Sequence, residues 1–285
     1  MNAFLSALGS KLAERWVSLL VLPGALFAAI AAAAFELGHR HALDERRLSH
    51  AAEDLAARYN HRPVSAVLLA AAAAAAAAAI GLLARGLGSA VEKAWVMTGP
   101  AWLTSPLVRW RLKRWEHAQR AAVSAPAPER AGRVALRNAI ALTEPTRATW
   151  IGDRLRSVGV RIQGQYGLDF SFTWPRLWLI LPDNCRGDVI AAREAMTGAS
   201  TQCGWALLYL CLGVVWWPAA LAGAALLLLG WRHGRETVSN LADLTESAVD
   251  LYAAELARTL GAQPPTGVVS PGVGRQLSER FRKGA

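Results

Sequence analysis

The amino-acid sequence predicts an all-α integral membrane protein with four transmembrane helices and a small α-rich cytosolic domain between spans 2 and 3. Of its 285 residues, 53% are hydrophobic and only 18% are charged, whereas about 25% of a soluble domain is charged. The apolar residues are gathered in long uncharged runs, and the other segments are basic enough to give a net charge of +10. This pattern indicates that lipid covers most of the apolar residues.

The first run covers residues 16–35 and follows a short segment, residues 1–15, that we assign to the cytosol. About 20 apolar residues cross the hydrocarbon core as a helix. Pro23-Gly24 within the run is tolerated where neighbouring helices satisfy the backbone. A secretory signal peptide is the alternative, because Lys11 and Arg15 precede the run. The length of the run favours a membrane span.

The second run covers residues 64–84 and contains ten consecutive alanines, from Ala70 to Ala79. Alanine is a strong helix former, and its small side chain lets helices in a membrane approach closely. We predict a second span packed within a bundle, with a soluble alanine-rich helix as the alternative. Residues 36–63 then form a non-cytosolic loop.

The third apolar region runs from Thr197 to Trp231 and is interrupted by Pro218. A single kinked helix of this length would measure roughly 50 Å, against a core of about 30 Å. It would also place Trp216 and Trp217 at mid-membrane, although tryptophan prefers the interface. A hairpin with spans at 197–216 and 218–232 avoids both problems, although its second arm is short.

Basic residues predict the orientation of the chain. Residues 85–202 contain 17 Lys and Arg against 9 Asp and Glu, whereas residues 36–63 contain 5 of each. Segments rich in Lys and Arg remain in the cytosol. We therefore expect residues 85–202 and both termini to be cytosolic.

Residues 85–123 are predicted to form membrane-proximal basic helices. Ser105 and Pro106 are typical of a helix N-cap and first residue. A basic helix with tryptophans is typical of a helix on anionic lipid, although it could instead pack on the cytosolic domain. Nucleic acid is a disfavoured partner, because topology already explains the basic residues. The predicted lipid-contacting residues are Trp102, Arg109, Trp110, Arg111, Lys113, Arg114 and Trp115.

Residues 124–131 are predicted to be a flexible linker, and residues 132–196 a compact cytosolic domain. Pro145-Thr146 is expected to open a helix, and a second helix is expected over residues 187–196. Residues 170–181 are aromatic and contain Pro175, so we predict an extended segment there. Proline disrupts the interior of a helix.

Residues 233–262 are predicted to form an amphipathic cytosolic helix that continues from span 4. Apolar residues follow one helical stripe, and Gly261 suits the position after the last helical residue. Residues 263–285 are rich in Pro and Gly. They are predicted to be a flexible tail or a docking segment.

Several strings resemble a family of uncharacterised multi-pass membrane proteins from high-GC bacteria. They are PTRATWIGDR (Pro145–Arg154), YGLD (Tyr166–Asp169), WPRLW (Trp174–Trp178), LPD (Leu181–Asp183), DLY (Asp250–Tyr252) and RTLGAQPP (Arg258–Pro265). The sequence departs from the family's pattern at Asp153 and Gln165. The resemblance covers the second half of the chain. It implies a hairpin after the WPRLW string and a place in the bacterial cytoplasmic membrane, and it implies no activity.

The sequence contains no catalytic motif that we can identify. A Walker loop, HExxH and GxSxG are all absent from it. The histidines of residues 36–63 lack the acidic and outer-shell pattern of a metal site, and the cysteines lack metal-ligand spacing. The uncharged spans disfavour an ion-coupled transporter. We predict that the protein is not an enzyme and needs no cofactor or metal.

We therefore expect a non-enzymatic anchor or scaffold that presents a cytosolic interaction domain. Its expected partners are the bilayer, with an anionic inner leaflet, a soluble protein and further copies of the chain. The alternative is an oligomeric channel or pore-forming effector, and a membrane enzyme is a third hypothesis that lacks an identifiable nucleophile. The predicted interaction surface comprises Tyr166, Asp169, Trp174, Arg176 and Trp178.

Overall fold

A computed structural model describes residues 21–59, 63–97, 101–262 and 267–283. This part of the chain folds into α-helices and contains no strand, which confirms the all-α class for these residues. In chain order the helices are α1 (Leu22–Leu37), α2 (Glu45–Tyr59), α3 (Pro63–Val96), α4 (Ala101–Ser124), α5 (Ala127–Ile140), α6 (Trp150–Tyr166), α7 (Phe170–Ile180), α8 (Asp183–Leu212), α9 (Trp217–Thr259) and α10 (Pro271–Arg282).

The chain divides into two compact units. Unit 1 comprises residues 1–91 and 200–231, and unit 2 comprises residues 92–199 and 232–285. The boundaries fall within α3, α8 and α9. Each unit is therefore built partly from pieces of these three helices.

Residues 36–63, predicted as a loop, contain the helix α2. The preceding helix α1 ends at Leu37, and Gly38 follows it with a positive φ of 59°, which glycine adopts more readily than other residues. A short turn follows, and the Asp44 carboxylate accepts a hydrogen bond from the N–H of Arg47 at 3.2 Å. This contact satisfies one of the free N–H groups at the start of α2.

Small residues bring the helices of unit 1 into backbone contact. A Cβ atom added to Gly24 of α1 would lie 2.0 Å from the carbonyl oxygen of Ala77 in α3. One added to Gly204 of α8 would lie 2.2 Å from the carbonyl oxygen of Ala84 in α3. Ala77 and Ala84 are themselves fully buried. Such approaches are possible only where side chains are absent or minimal.

The region from 197 to 231 forms a helical hairpin rather than one kinked helix. The helix α8 ends at Leu212, and α9 begins at Trp217 after a short turn. A Cβ atom on Gly223 of α9 would lie 2.7 Å from the backbone nitrogen of Leu210 in α8, so the arms pack side by side. Pro218 lies in the first turn of α9, where a missing N–H leaves no helical bond unmade.

Only one described helix is long and apolar enough to cross a membrane. This helix is α3, whose candidate span covers Val64–Val96, and the helix Leu22–Leu37 is apolar but shorter. Residues 16–20 of the first predicted span lie outside the described residues. These observations support one candidate span among the described residues.

In unit 2, α4 and α5 correct two predictions. The helix α4 begins at Ala101, so Ser105 and Pro106 lie inside it and do not start it. The segment 124–131 is not a flexible linker, because α5 begins at Ala127. Ala125 is buried, and its carbonyl accepts a hydrogen bond from Arg130 at 3.3 Å, which fixes the corner between the two helices.

The prediction of an extended segment over residues 170–181 is wrong, because α7 is helical from Phe170 to Ile180 despite Pro175. The Asp169 side chain accepts a hydrogen bond from the N–H of Ser171 and caps the helix. Leu177 is fully buried. Capping and core burial therefore outweigh the hydrogen bond that proline removes.

The start of α6 also differs from its prediction. It begins at Trp150, with Thr149 as its N-cap, and not at Pro145-Thr146. The long helices match more closely, since α8 is continuous from Asp183 and α9 ends at Thr259, just before Gly261 with φ 81°.

The predicted flexible tail, 263–285, contains the ordered helix α10. Ser270 caps this helix, and Leu277 and Phe281 are buried. The apolar side chains join a core formed by α6, α7, α9 and α10. The tail was predicted to be either flexible or a docking segment. Where the structure describes it, it is a docking segment, and it docks on its own unit.

Candidate functional site

The PTRATWIGDR string forms a buried polar cluster around Asp153, which we call the 145–154 clamp. One carboxylate oxygen of Asp153 accepts the N–H groups of Thr146 and Arg147, both at 2.9 Å. The other pairs with the guanidinium of Arg111 from α4. Arg111 also donates to the carbonyl oxygens of Arg147 and Thr149, both at 2.7 Å. The clamp thereby joins α4 to the start of α6.

The same clamp holds the last turn of α3. The hydroxyl of Thr149 accepts the N–H of Gly152 at 2.9 Å and donates to the carbonyl oxygen of Trp95. A Cβ atom on Gly152 would lie 2.8 Å from that carbonyl oxygen. Threonine and glycine at these two positions therefore have structural roles.

Arg154 joins α6 to α9 through a second charged cluster. Its side chain is buried and pairs with Asp243 at 2.6 Å and with Glu246 at 2.9 Å. Arg161, about two turns further along α6, pairs with Glu246 at 2.7 Å. These ion pairs connect residues far apart in sequence, and the charged groups satisfy one another.

Two of the seven predicted lipid-contacting residues have internal roles. Arg111 is only 8% exposed and belongs to the 145–154 clamp, so its assignment to lipid is wrong. Trp115 is half-buried, and its indole N–H donates to the carbonyl oxygen of Ala141 at 2.9 Å. The exposed members of the set are Trp102, Arg109, Trp110, Lys113 and Arg114.

Tyr166 does not belong to an exposed interaction surface. It is buried, and its hydroxyl donates to Asp250 of α9 at 2.7 Å. Burial is the main cause that raises the pKa of Tyr166 to about 12, and the Asp250 carboxylate adds to it. The tyrosine therefore stays neutral and connects α6 to α9.

The helix α10 covers much of the remaining predicted interaction surface. Arg282 pairs with Asp169 at 3.1 Å, and the guanidinium of Arg176 lies over the ring of Phe281, 4.4 Å from its centroid. A Cβ atom on Gly274 would lie 1.8 Å from the carbonyl oxygen of Tyr166. Backbone contact of this kind shows that α10 is closely fitted to the end of α6.

Trp174 and Trp178 instead line an open apolar groove within unit 2. The groove has a volume of about 730 Å³ and lies among α6, α7, α8 and α9. It is lined by Leu155, Val158, Phe170, Trp174, Pro175, Trp178, Val189, Ile190, Arg193, Glu194, Leu241, Ala242 and Thr245. This groove was not predicted from the sequence, although the spacing of Phe170, Trp174 and Trp178 by four residues is a signal for a shared face.

Two histidines between α1 and α2, His39 and His41, make hydrogen bonds. A ring nitrogen of His39 lies 2.8 Å from the carbonyl oxygen of Val214, and a ring nitrogen of His41 lies 3.2 Å from the guanidinium of Arg47. No group of three His, Cys, Asp or Glu side chains suited to a metal occurs among the described residues. His61 lies outside them.

No protein-family model matches this chain, and no curated protein or solved structure is significantly similar to it.

Proposed function

We propose that the protein is a non-enzymatic, four-span membrane anchor that presents unit 2 in the cytosol. The exposed apolar face of α3 is the observation that supports this most strongly. Val64 is 73% exposed and Val67 is 68% exposed, and no charged residue occurs from Val64 to Ala84. Each Å² of apolar surface left in water costs about 25 cal/mol, and a bilayer removes that cost.

Further spans are proposed at residues 16–35 and in the α8–α9 hairpin. Large apolar side chains are also exposed on these helices, including Leu26 and Phe35 of α1 and Leu221 and Leu228 of α9. They share the property that supports a span in α3. Tilt or local thinning of the bilayer would compensate for the short second arm of the hairpin.

The exposed face of α4 is proposed to contact anionic lipid on the cytosolic side. Trp102 and Trp110 are largely exposed, and the guanidinium of Arg114 lies 4.8 Å from the ring centroid of Trp110. Amphipathic indole rings beside cationic side chains suit the headgroup region. With Arg111 withdrawn into the clamp, the proposed lipid-contacting set consists of the five exposed residues named above.

The interaction surface of unit 2 is proposed to be the groove beside Trp174 and Trp178. The ion pairs of Arg154 and the hydrogen bond of Tyr166 connect α6 to α9, two of the four helices that line this groove. A rigid surface loses little conformational entropy when it binds. An accessible apolar groove on supported helices is typical of a binding site.

Membrane extraction and cysteine labelling of the full chain test the anchor. We expect the protein to resist alkaline carbonate extraction. For the labelling, the native cysteines are replaced first and single cysteines are then introduced. The variant Ser49→Cys should react with an impermeant maleimide in intact cells, and Glu255→Cys only after permeabilisation. Extraction by carbonate, or labelling of both positions from one side, would contradict the four-span anchor.

The second candidate is an oligomeric channel. Residues 71–76 of α3 are alanines whose side chains are exposed in the single chain, and a face of small residues suits packing between copies. Reconstitution in planar bilayers distinguishes the two proposals, since a channel gives unitary conductance steps. Their absence across the tested potentials and lipid compositions would leave the anchor as the better account.

A further inference from the structure

We propose that the apolar groove of unit 2 holds one acyl chain of a zwitterionic membrane phospholipid. The inference rests on the proposed membrane anchor and names the occupant of its interaction surface. It derives from the shape of the groove, from the small number of polar groups inside it, and from the charges at its edge.

One wall of the groove is a row of aromatic rings on α7. The ring centroids of Phe170 and Trp174 are 5.5 Å apart, and those of Trp174 and Trp178 are 5.8 Å apart. Eight residues of helix separate the first ring from the last, so the row is about 12 Å long. A continuous wall of this length fits an elongated, unbranched apolar group.

The facing walls offer aliphatic side chains from three helices, such as Val158 of α6, Ile190 of α8 and Ala242 of α9. Thr245 also lines the groove, but its hydroxyl donates to the carbonyl oxygen of Leu241 at 2.7 Å. The hydroxyl proton of Thr245 is therefore not available to a ligand in the groove. Away from the charged edge, the other side-chain donors of the lining are the indole N–H groups of Trp174 and Trp178. A polar ligand would therefore lose its hydration and gain few partners, so the groove favours a hydrocarbon chain.

The only charged residues in the lining of this groove are Arg193 and Glu194 of α8, which are adjacent and exposed. Arg193 also pairs with Glu92. A headgroup with a phosphodiester and an ammonium matches this pair of opposite charges. A fatty acid would bring a carboxylate alone, which Glu194 opposes.

The position of this charged edge along the chain agrees with a lipid headgroup. Arg193 lies four residues, or about 6 Å of helix, before Thr197, where the third span is predicted to begin. Charged residues flanking a span lie at the level of the headgroups. The groove volume of about 730 Å³ also lies in the range of ligand sites.

Photocrosslinking of the full chain in nanodiscs tests the proposal. The probe is a phosphatidylethanolamine with a diazirine near the middle of one acyl chain, and mass spectrometry locates its adducts. We expect adducts in the peptides that carry Val158, Trp174 and Ala242. Adducts on α3 between residues 64 and 84 report separately on the membrane anchor.

Two exposed positions provide a matched pair of variants. Ile190→Glu places a carboxylate inside the groove, and Leu179→Glu places one on α7 outside the groove lining. We expect Ile190→Glu to reduce the groove adducts at least tenfold while the α3 adducts persist, and Leu179→Glu to leave both unchanged. Both side chains are exposed, so neither variant should prevent folding.

Three results would overturn the lipid assignment. They are a groove without adducts while α3 is labelled, groove adducts that survive Ile190→Glu, or labelling of the groove by a diazirine fatty acid but not by the phospholipid. A protein segment that occupied the groove would exclude the probe, and it would also give a groove without adducts while α3 is labelled. Loss of the α3 adducts as well would instead contradict the membrane anchor itself.

Discussion

Unit 1 and unit 2 are both helical, yet different contacts hold each of them together. In unit 1, Gly24 and Gly204 bring helix backbones within contact distance of alanine carbonyl groups. In unit 2, charged side chains such as Arg111 and Arg154 are buried and paired. Both units use glycine for close backbone contact, as Gly274 does in unit 2, but among the described residues only unit 2 adds buried ion pairs.

This difference follows from the proposed surroundings of each unit. Apolar side chains lose no water when helices associate inside lipid, so close van der Waals contact has to provide the stability. In water, burial of apolar surface supplies the stability, and buried polar groups must then be paired. Unit 2 should therefore lose more stability than unit 1 when a charged side chain is removed.

The largest effect is expected for Asp153→Ala in unit 2. The change leaves the buried guanidinium of Arg111 without its carboxylate, and removal of one partner of a buried ion pair costs about 3–5 kcal/mol. Thermal unfolding in detergent, followed by near-ultraviolet circular dichroism, measures the loss. The control is Glu129→Ala, which breaks the exposed pair with Arg133 at 4.0 Å and should cost at most about 0.5 kcal/mol.

A loss below about 1 kcal/mol for Asp153→Ala would contradict the structural role of the clamp.

In unit 1, Gly204→Ala is expected to destabilise by about 1–3 kcal/mol, because the new methyl group would overlap the carbonyl of Ala84. The matched control is Gly86→Ala in α3, whose Cβ atom would meet nothing within 4 Å. That variant should be neutral or stabilised by up to about 1 kcal/mol, since alanine is the better helix former. Equal stability of the two variants would show that close packing is not what holds unit 1.

Tyr166→Phe is expected to cost about 1.5 kcal/mol at pH 7, because it removes a hydrogen bond to a carboxylate. The pKa of Tyr166 is raised from 10 to about 12 in the folded protein. Its contribution is therefore complete below about pH 10 and is lost as the pH rises through about 12.

Melting temperatures at pH 7, 9 and 11 measure this dependence. The difference between the wild-type protein and Tyr166→Phe should be constant from pH 7 to 9 and smaller at pH 11. Tyr252→Phe, at another tyrosine of unit 2, is the control for a general alkaline effect. A difference that grows with pH would contradict the assigned hydrogen bond.

The smallest effect is a gain in stability. Thr173 is fully buried and, among the described residues, its hydroxyl has no hydrogen-bond partner. Thr173→Val should stabilise unit 2 by about 1 kcal/mol, because it removes an unsatisfied polar group at nearly constant shape. Thr237→Val is the opposite case, since the hydroxyl of Thr237 donates to the carbonyl oxygen of His233 at 3.0 Å. Destabilisation by both variants would mean that the Thr173 hydroxyl is bonded.

Local sequence patterns predicted the long helices well and the short segments poorly. The composition around Ala70–Ala79 identifies α3 because many consecutive residues favour the same state. Over residues 170–181, Pro175 outweighed every other local signal and led to an extended prediction. The even spacing of Phe170, Trp174 and Trp178 did not correct it, because positions four residues apart share a face in a strand as well as in a helix.

The candidate site was predicted only in part for a related reason. Arg111 has the same local surroundings as the exposed Arg109 and Lys113, and only the distant Asp153 distinguishes it. Tyr166 and Asp169 looked available because the segment that covers them, α10, begins about 100 residues later. Contacts between residues that are far apart in sequence decide which side chains are buried. The local composition around a residue does not reveal those contacts.

The sequence by itself determined the helical class, the end of α9 before Gly261 and the basic character of α4. It also predicted a break in the third apolar region near Pro218, with the first arm ending at residue 216, whereas the structure places the turn at residues 213–216. Each of these depends on neighbouring residues, through helix propensity, proline, glycine and local charge. Only the tertiary structure decided which charges are buried, that α10 docks on its own unit, and that four helices enclose an apolar groove. These features depend on pairs of residues that folding brings together, and for such pairs the energy of desolvation and packing outweighs local preference.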